Sequence, residues 1–386
     1  MKSIKITNGK IYTADKGKII EKGEILVKDG KIADVGEKVG DGEIVVDAEG
    51  RTVTPGFVES HSHLGLWEDS LGFEGSDGNE AVDPVSPELR AIDAINPFDI
   101  NFKEAVQGGV TTVHTGPGSA NVIGGSFVIL KPWGNRIDDM VIKNPSAMKI
   151  AFGENPKRVY SGLKKSPSTR MATASILRNT LFKAREYLRK KEAAKEEKDM
   201  PDFNLQYEAL IPVLKKEIPL KAHAHRADDI FTSIRIAKEF DVKITLDHCT
   251  EGHLIADHLA KEGLPALVGP TFGERSKVEL KNKTFETPKV LYDAGVLFSI
   301  ITDSPVIPLE HLALCAGLAH NAGLPHQEAL NAITINAAKI IGMDDRLGSI
   351  TKGKDADIVI HDGDPLKDVT WKVYLTMIDG EVVYQR

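Results

Sequence analysis

From residue 56 to about residue 345 the chain alternates apolar, strand-like runs with helix-like stretches. Few folds accept that pattern at that length. "VTTVHTGPG" follows the helical "PFDINFKEAVQGG", and "SAMKIAFGEN" precedes a long charged helical region. "LKAHAHRADD", "VKITLDHCTE", "PALVGPTFG" and "LFSIITDSP" follow, with helical segments between them. Such alternation implies βαβ units and a parallel sheet. A strand count near eight favours a closed (β/α)8 TIM-type barrel over an open sheet. The two ends of the chain differ from this middle. "GEILVKDGKIADVGE" is two alternating runs joined at Asp29-Gly30, a hairpin signal, and "VYLTMIDGEVVYQR" repeats the texture near the C-terminus.

The bulk numbers exclude several classes. The chain has 386 residues, 41% hydrophobic and 27% charged, with a net charge of −7, so no nucleic-acid footprint is expected. The N-terminus lacks the apolar core of a signal peptide. No stretch approaches the roughly 18 consecutive apolar residues of a membrane span. Two cysteines, Cys249 and Cys315, make neither a disulfide framework nor a Cys-x-x-Cys site. These features predict a soluble cytoplasmic protein without nucleic-acid or membrane partners. A homo-oligomer through the β-rich ends and barrel helices stays open. The charged stretch Lys183–Lys198 reads as a solvated outer helix face.

In a barrel of this kind, chemistry sits at the C-terminal ends of the strands. "TPGFVESHSHLG" puts His61 and His63 two residues apart, on one face of a strand. His114, then His223 and His225, then His248, and finally Asp303 stand at later strand ends. Singly, each has an ordinary structural reading. Jointly, imidazoles and a carboxylate at one barrel mouth match a zinc-like site with open positions. A bound metal lowers the pKa of water to about 7, and a carboxylate such as Asp303 can carry its proton to a leaving group.

With these residues in place the chain resembles the amidohydrolase superfamily over nearly its whole length, specifically the branch of imidazolonepropionases and metallo-dipeptidases. The matching motifs are "PGFVESHSH", "GGVTTV", "HAHRADD", "DHCTEGH", "TDSP" and the tail "INAAKIIGMDDRLGSITKGKDADIVIHDGDP". The resemblance implies that residues 1–54 and 346–386 form a small composite β-sandwich around a barrel spanning 55–345. It makes His61, His63, His225, His248 and Asp303 the metal ligands, with Asp303 and His248 catalytic. His225 is preferred to His223 because it lies nearer the strand end and three residues before Asp228. His223 is then expected to pack beneath the site or to orient a ligand.

The fourth strand decides between one ion and two. Binuclear relatives bridge two ions there with a carboxylated lysine or a glutamate, and Lys149 and Glu154 are the two candidates. A third outcome, neither residue binding metal, stays open beside them. His114, Asn121, Arg226, Asp228 and Arg275 are candidate substrate contacts, each with a structural alternative. The loop Leu64–Asn101, rich in Gly, Asp and Pro, is expected to cover the site.

The resemblance implies a metal-dependent hydrolase acting on a small-molecule substrate, most simply a zinc enzyme with one or two ions per chain. In it a metal-bound hydroxide cleaves a C–N bond in an amide, dipeptide-like or cyclic amide substrate. The alternatives are a mononuclear aminohydrolase that deaminates a ring, and a non-catalytic scaffold of the same fold. Asp228 stands where deaminases of this superfamily carry a glutamate, which disfavours the first. The five filled ligand positions disfavour the second. Ser304 beside Asp303, where many relatives have an imidazole, weakens the transfer of any particular substrate.

Overall fold

The computed structural model describes residues 2–69 and 71–386. Strands β1 (Ile4–Tyr12), β2 (Ile19–Lys28), β3 (Lys31–Gly36), β4 (Ile44–Asp47) and β5 (Thr52–Pro55) open the chain. The central strands are β6 (Phe57–Ser62), β7 (Val110–Thr115), β8 (Ile123–Leu130), β9 (Val141–Ala151), β10 (Leu220–Ala224), β11 (Ile244–His248), β12 (Ala266–Val268) and β13 (Phe298–Ile300). β14 (Ile358–Asp362), β15 (Lys372–Ile378) and β16 (Glu381–Gln385) close it.

The central strands form one eight-stranded sheet ordered from β6 to β13 in sequence order. Its ends meet. Ser60 Oγ on β6 lies 2.7 Å from Ser299 Oγ on β13. The Glu59 carboxylate accepts the Thr302 N–H at 2.9 Å and its O–H at 2.7 Å, drawing the ring nearly shut. The expected α/β barrel is therefore present, with one departure from regular alternation. β8 runs antiparallel to both β7 and β9. The connection Gly116–Val122 is too short for the crossover of a dozen or so residues that a parallel strand needs, so the chain turns straight back.

The chain ends build the second sheet, ordered β16-β15-β14-β5-β1-β2-β3 with β4 also on β1. Its strands enclose a core of their own that includes Ile6, Ile25, Val53, Ile358 and Leu375. Two Asp-Gly turns make its hairpins. Asp29 and Gly30 have φ of 49° and 75°, and Asp379 and Gly380 have φ of 48° and 78°. Positive φ at both central residues matches the twist of the flanking strands, and glycine takes it without steric cost. Lys131, at the end of β8, ties the barrel to this sheet. Its buried ammonium meets Asp357 and lies 3.5 Å from Asp355 and 3.4 Å from Asp379. Among the described residues, no helix is long and apolar enough to cross a membrane.

Candidate metal centre

Alternation along β6 aims Glu59, His61 and His63 toward one side, and all three are buried. His63 Nδ1 lies 2.7 Å from the Gly116 carbonyl, so it must carry the proton that it donates there. Its Nε2 is then a lone pair, yet it faces Asp303 Oδ1 at 3.2 Å. His61 repeats the arrangement. Its Nδ1 lies 2.8 Å from Asp247 Oδ2, and its Nε2 lies 3.3 Å from the same Asp303 oxygen. The first contact is skewed from a linear hydrogen bond. Two imidazole lone pairs and a carboxylate oxygen converge, and acceptors held this close repel unless a cation lies between them.

A second group stands beside the first. His223 and His225 on and just beyond β10, with His248 ending β11, offer nitrogens within 4.8 Å of one another. The His223 and His248 rings are 4.4 Å apart, and the His225 and His248 rings 4.6 Å. His248 Nδ1 gives its proton to the Gly269 carbonyl at 2.8 Å, which leaves Nε2 without a partner. His223 Nδ1 bonds Ser119 Oγ at 2.9 Å, and His225 Nδ1 bonds Thr250 Oγ1 at 2.7 Å. Burial holds all three imidazoles well below their ordinary pKa, so they are neutral and able to bind a metal. His248, at the end of β11, and Asp303, beyond β13, both have positive φ (72° and 55°), where the regular strand conformation has ended.

Between the strands of these groups lies Lys149. It is fully buried, its Nζ 3.4 Å from His61 Nε2, and burial pulls its pKa down to about 8. Behind His61, the Asp247 carboxylate also pairs with the buried ammonium of Lys221 at 3.2 Å. Sequence reasoning passed over Asp247, Lys221, Glu59 and one further carboxylate, Glu279. Glu279 follows β12, is buried, and holds Oε1 3.8 Å from His223 Nε2 and 3.7 Å from His225 Nε2. Lys221 and Glu59 did carry a signal, since each sits two residues before a candidate ligand on the same strand face.

The other expected residues are dispersed. Glu154 opens the helix Glu154–Gly162, donates its backbone N–H to Glu279 Oε2 at 2.9 Å, and lines a cleft of about 440 Å3 beside the second group. Lys157, Arg158, Arg170 and Arg226 line the same cleft. Arg226 is clamped by Asp228 through two bonds of 3.0 and 2.9 Å, so Asp228 is engaged away from the histidines. Asn121 spans Ser86 Oγ at 2.6 Å and the Tyr160 hydroxyl at 2.6 Å, fastening the long loop to the barrel. Arg275 folds back on the carbonyls of Lys281 and Lys283 at 3.1 and 2.9 Å.

His114 meets Ser146 Oγ at 2.8 Å in a cavity of about 350 Å3. Pro219, Lys243 and Pro265, which precede β10, β11 and β12, line that cavity, so it belongs to the opposite end of the barrel. The strand register explains this, since His114 pairs with Ile129 and Ile129 with Lys143, near the start of β9. The loop after β6 does reach the site. Trp67 packs edge-on against His63 at 4.9 Å, and Val85 and Arg90 bridge to β8.

The donor set fits a divalent metal: imidazole nitrogens and carboxylate oxygens, buried, with His223 Nε2, His248 Nε2, Asp303 Oδ1 and Glu279 Oε1 lacking any hydrogen-bond partner. Comparison with known proteins agrees with that chemistry. Residues 180–383 match the model of the amidohydrolase family. The chain is similar to amidohydrolase tasK of Hapsidospora irregularis, 32% identical over 89% of this chain but only 38% of that protein's length. It is also similar to imidazolonepropionase of Streptococcus pyogenes, 26% identical over 90% of this chain and 85% of that one. The crystal structure of an amidohydrolase from Thermotoga maritima superposes with a TM-score of 0.96 at 43% identity, covering 99% of this chain and 100% of that one.

Proposed function

The chain belongs to the amidohydrolase family, whose hydrolases act on C–N bonds, and on that premise we propose that it hydrolyses an amide, dipeptide-like or cyclic amide substrate at a binuclear metal site. The observation that carries this reading is the pair of donor groups, His61–His63–Asp303 and His223–His225–His248. Lys149, buried and within 3.4 Å of His61, would be the fourth-strand residue that helps hold the ions in this reading, as the carbamate that a neutral amine forms by adding carbon dioxide and releasing a proton. Burial, which pulls its pKa down to about 8, raises the share of neutral amine able to react with carbon dioxide. Glu154 is left to the cleft. When bound, a divalent ion acidifies water to a pKa of about 7 and polarises a carbonyl oxygen. We take zinc as the ion, because neutral imidazoles and carboxylates suit it.

The chain's own residues do the rest. Asp303 accepts the proton of the attacking water and delivers it to the leaving nitrogen. His248, fixed by its bond to Gly269, keeps its Nε2 aimed into the site. Trp67, against His63, keeps bulk water from that side. The cationic cleft with Lys157 and Arg158 receives an acidic group of the substrate. The imidazolonepropionase relative acts, by its name, on a cyclic amide, and that supports placing this class first. Deamination is disfavoured because Asp228, clamped by Arg226, does not reach the histidines.

Metal counting by plasma mass spectrometry, together with a panel of cyclic amides and dipeptides, tests the proposal. Close to two ions per chain and hydrolysis of one class, both lost in Lys149→Met, are the expected results. A wild-type chain without metal after reconstitution would overturn it.

A further inference from the structure

Four donors on the second side of the site point at one another, and one of them, Glu279, comes from outside the strand ends that carry the others. It lies on a short turn, Val278–Leu280, in the segment after β12. Val278 beside it is 75% exposed while Glu279 is 2% exposed, so the turn drives one carboxylate inward from a solvated loop. The two carboxylate oxygens differ. Oε2 accepts the Glu154 N–H at 2.9 Å, whereas Oε1 has no hydrogen-bond partner. The ammonium of Lys277 stays 3.9 Å from Oε1, too far for a hydrogen bond.

Oε1 lies 3.8 Å from His223 Nε2 and 3.7 Å from His225 Nε2. Those distances are too long for hydrogen bonds. They match the separation of two ligands that share one ion, since bonds of about 2.0–2.2 Å to a common centre leave donors roughly 3–4 Å apart. His248 gives its Nδ1–H to a carbonyl and so presents an Nε2 lone pair. The Ser119 and Thr250 hydroxyls can accept from Nδ1–H of His223 and His225, and with that tautomer both rings present Nε2 lone pairs to this carboxylate as well. A buried carboxylate among neutral lone pairs is costly unless a cation sits between them. The fold also makes room for it. A Cβ at Gly153 would come within 2.6 Å of Glu279 Oε2, and Gly153 has a φ of 79°, so glycine is required twice over.

We infer that Glu279 Oε1 and His223 Nε2 are direct ligands of the second ion, with His225 and His248, so that this ion is held by three imidazoles and a carboxylate. The inference rests on the binuclear reading above; it adds one ligand, Glu279, and makes His223 of the second donor group a direct ligand. Glu279 replaces no residue of the first group, and the His61–His63–Asp303 ion does not depend on it.

The test is Glu279→Gln, which keeps the acceptor for Glu154 and removes the charge, beside His223→Gln, His61→Ala and wild type. Zinc is counted by plasma mass spectrometry after dialysis against a chelator buffer, and cobalt-loaded protein is followed by its visible spectrum. Glu279→Gln and His223→Gln should each keep one ion and bind the second at least about tenfold more weakly, the first by losing a charged ligand and the second by losing a neutral imidazole ligand. Their cobalt spectra should change. Retention of two ions with unchanged affinity and spectrum in both variants would overturn the inference while leaving the binuclear reading intact. Absence of metal from wild type would overturn both, and loss of one ion from His61→Ala identifies the ion that remains in the other variants.

Discussion

Asp247 stands directly behind His61, its Oδ2 2.8 Å from Nδ1, while Nε2 of the same ring faces Asp303. The same carboxylate pairs with Lys221 at 3.2 Å, and Thr245 Oγ1 donates to its other oxygen at 2.7 Å. Lys221 in turn donates to the Ser60 carbonyl at 3.0 Å. A buried charge pair thus fixes, from inside the barrel, the orientation of an imidazole of the proposed metal site. Carboxylates in this position set the ring's tautomer and raise its basicity.

Replacing Asp247 by Asn should therefore weaken metal binding about 10–100-fold, read by competition with a chromophoric chelator. It should also destabilise the fold by about 3–5 kcal/mol, because Lys221 is left buried without its partner. Adding Lys221→Met should recover much of the stability and none of the metal affinity. Recovery of both would mean that Asp247 acts only on packing.

A different buried histidine sets an acid limit on stability. His361 on β14 bonds Thr54 Oγ1 at 2.8 Å and stacks on Phe57 at 5.5 Å. Burial pulls its pKa from 6.5 down to about 3. Between those values the unfolded chain binds a proton that the folded chain refuses, so stability falls as pH drops through the window and rises as pH climbs back. The loss is about 2 kcal/mol by pH ~5 and approaches about 5 kcal/mol once pH falls below about 3. His361→Gln should flatten the pH dependence of the urea midpoint by that amount, while the other buried histidines contribute equally to both proteins. Parallel curves for the two would show that His361 does not resist protonation.

How much of this was legible in the sequence depended on periodicity. His61 with His63, and His223 with His225, could be paired because strand residues two apart share a face. The same rule, carried two residues back, reaches Glu59 and Lys221. Asp247 was hidden by its neighbour. Alternation would turn Asp247 and His248 to opposite faces, and regular alternation ends at His248, whose φ is positive. Glu279 was invisible for another reason, since a loop residue has no period and its burial depends on the Glu154 amide and the space at Gly153. The reversal of β8 was hidden because an antiparallel strand buried on both faces reads like a parallel one. The Asp-Gly hairpins of the second sheet were readable because their turn chemistry is local.

One charged tie between barrel and second sheet is built on a single lysine. Lys131 is surrounded by Asp355, Asp357 and Asp379, and Asp355 is also held by Arg346 at 2.8 Å. Lys131→Met should cost about 3–5 kcal/mol, since Asp357 would remain buried without a counter-charge. Pairing it with Asp357→Asn should return part of that loss, a non-additivity expected of groups in direct contact. Equal and additive losses in urea unfolding would show that the acidic groups are already satisfied by their other partners.

Metal removal should be felt by the whole barrel. Asp303 and Glu279 belong to different segments, one after β13 and one after β12, and both aim unpartnered oxygens at imidazoles on or just beyond β6 and β10. An ion bound only by the folded state stabilises it by RT ln(1 + [L]/Kd), about 4 kcal/mol when free metal is 1,000 times Kd. Stripping the metal removes that term, and the carboxylates then face the imidazole lone pairs with nothing between them. The chain should melt at a lower temperature in chelator than in zinc buffer. Asp303→Asn should narrow the difference, because it removes one ligand along with the repulsion that metal relieves. Identical melting of the wild type in both buffers would mean that no ion is held by the folded state, and the two donor groups would then need another explanation.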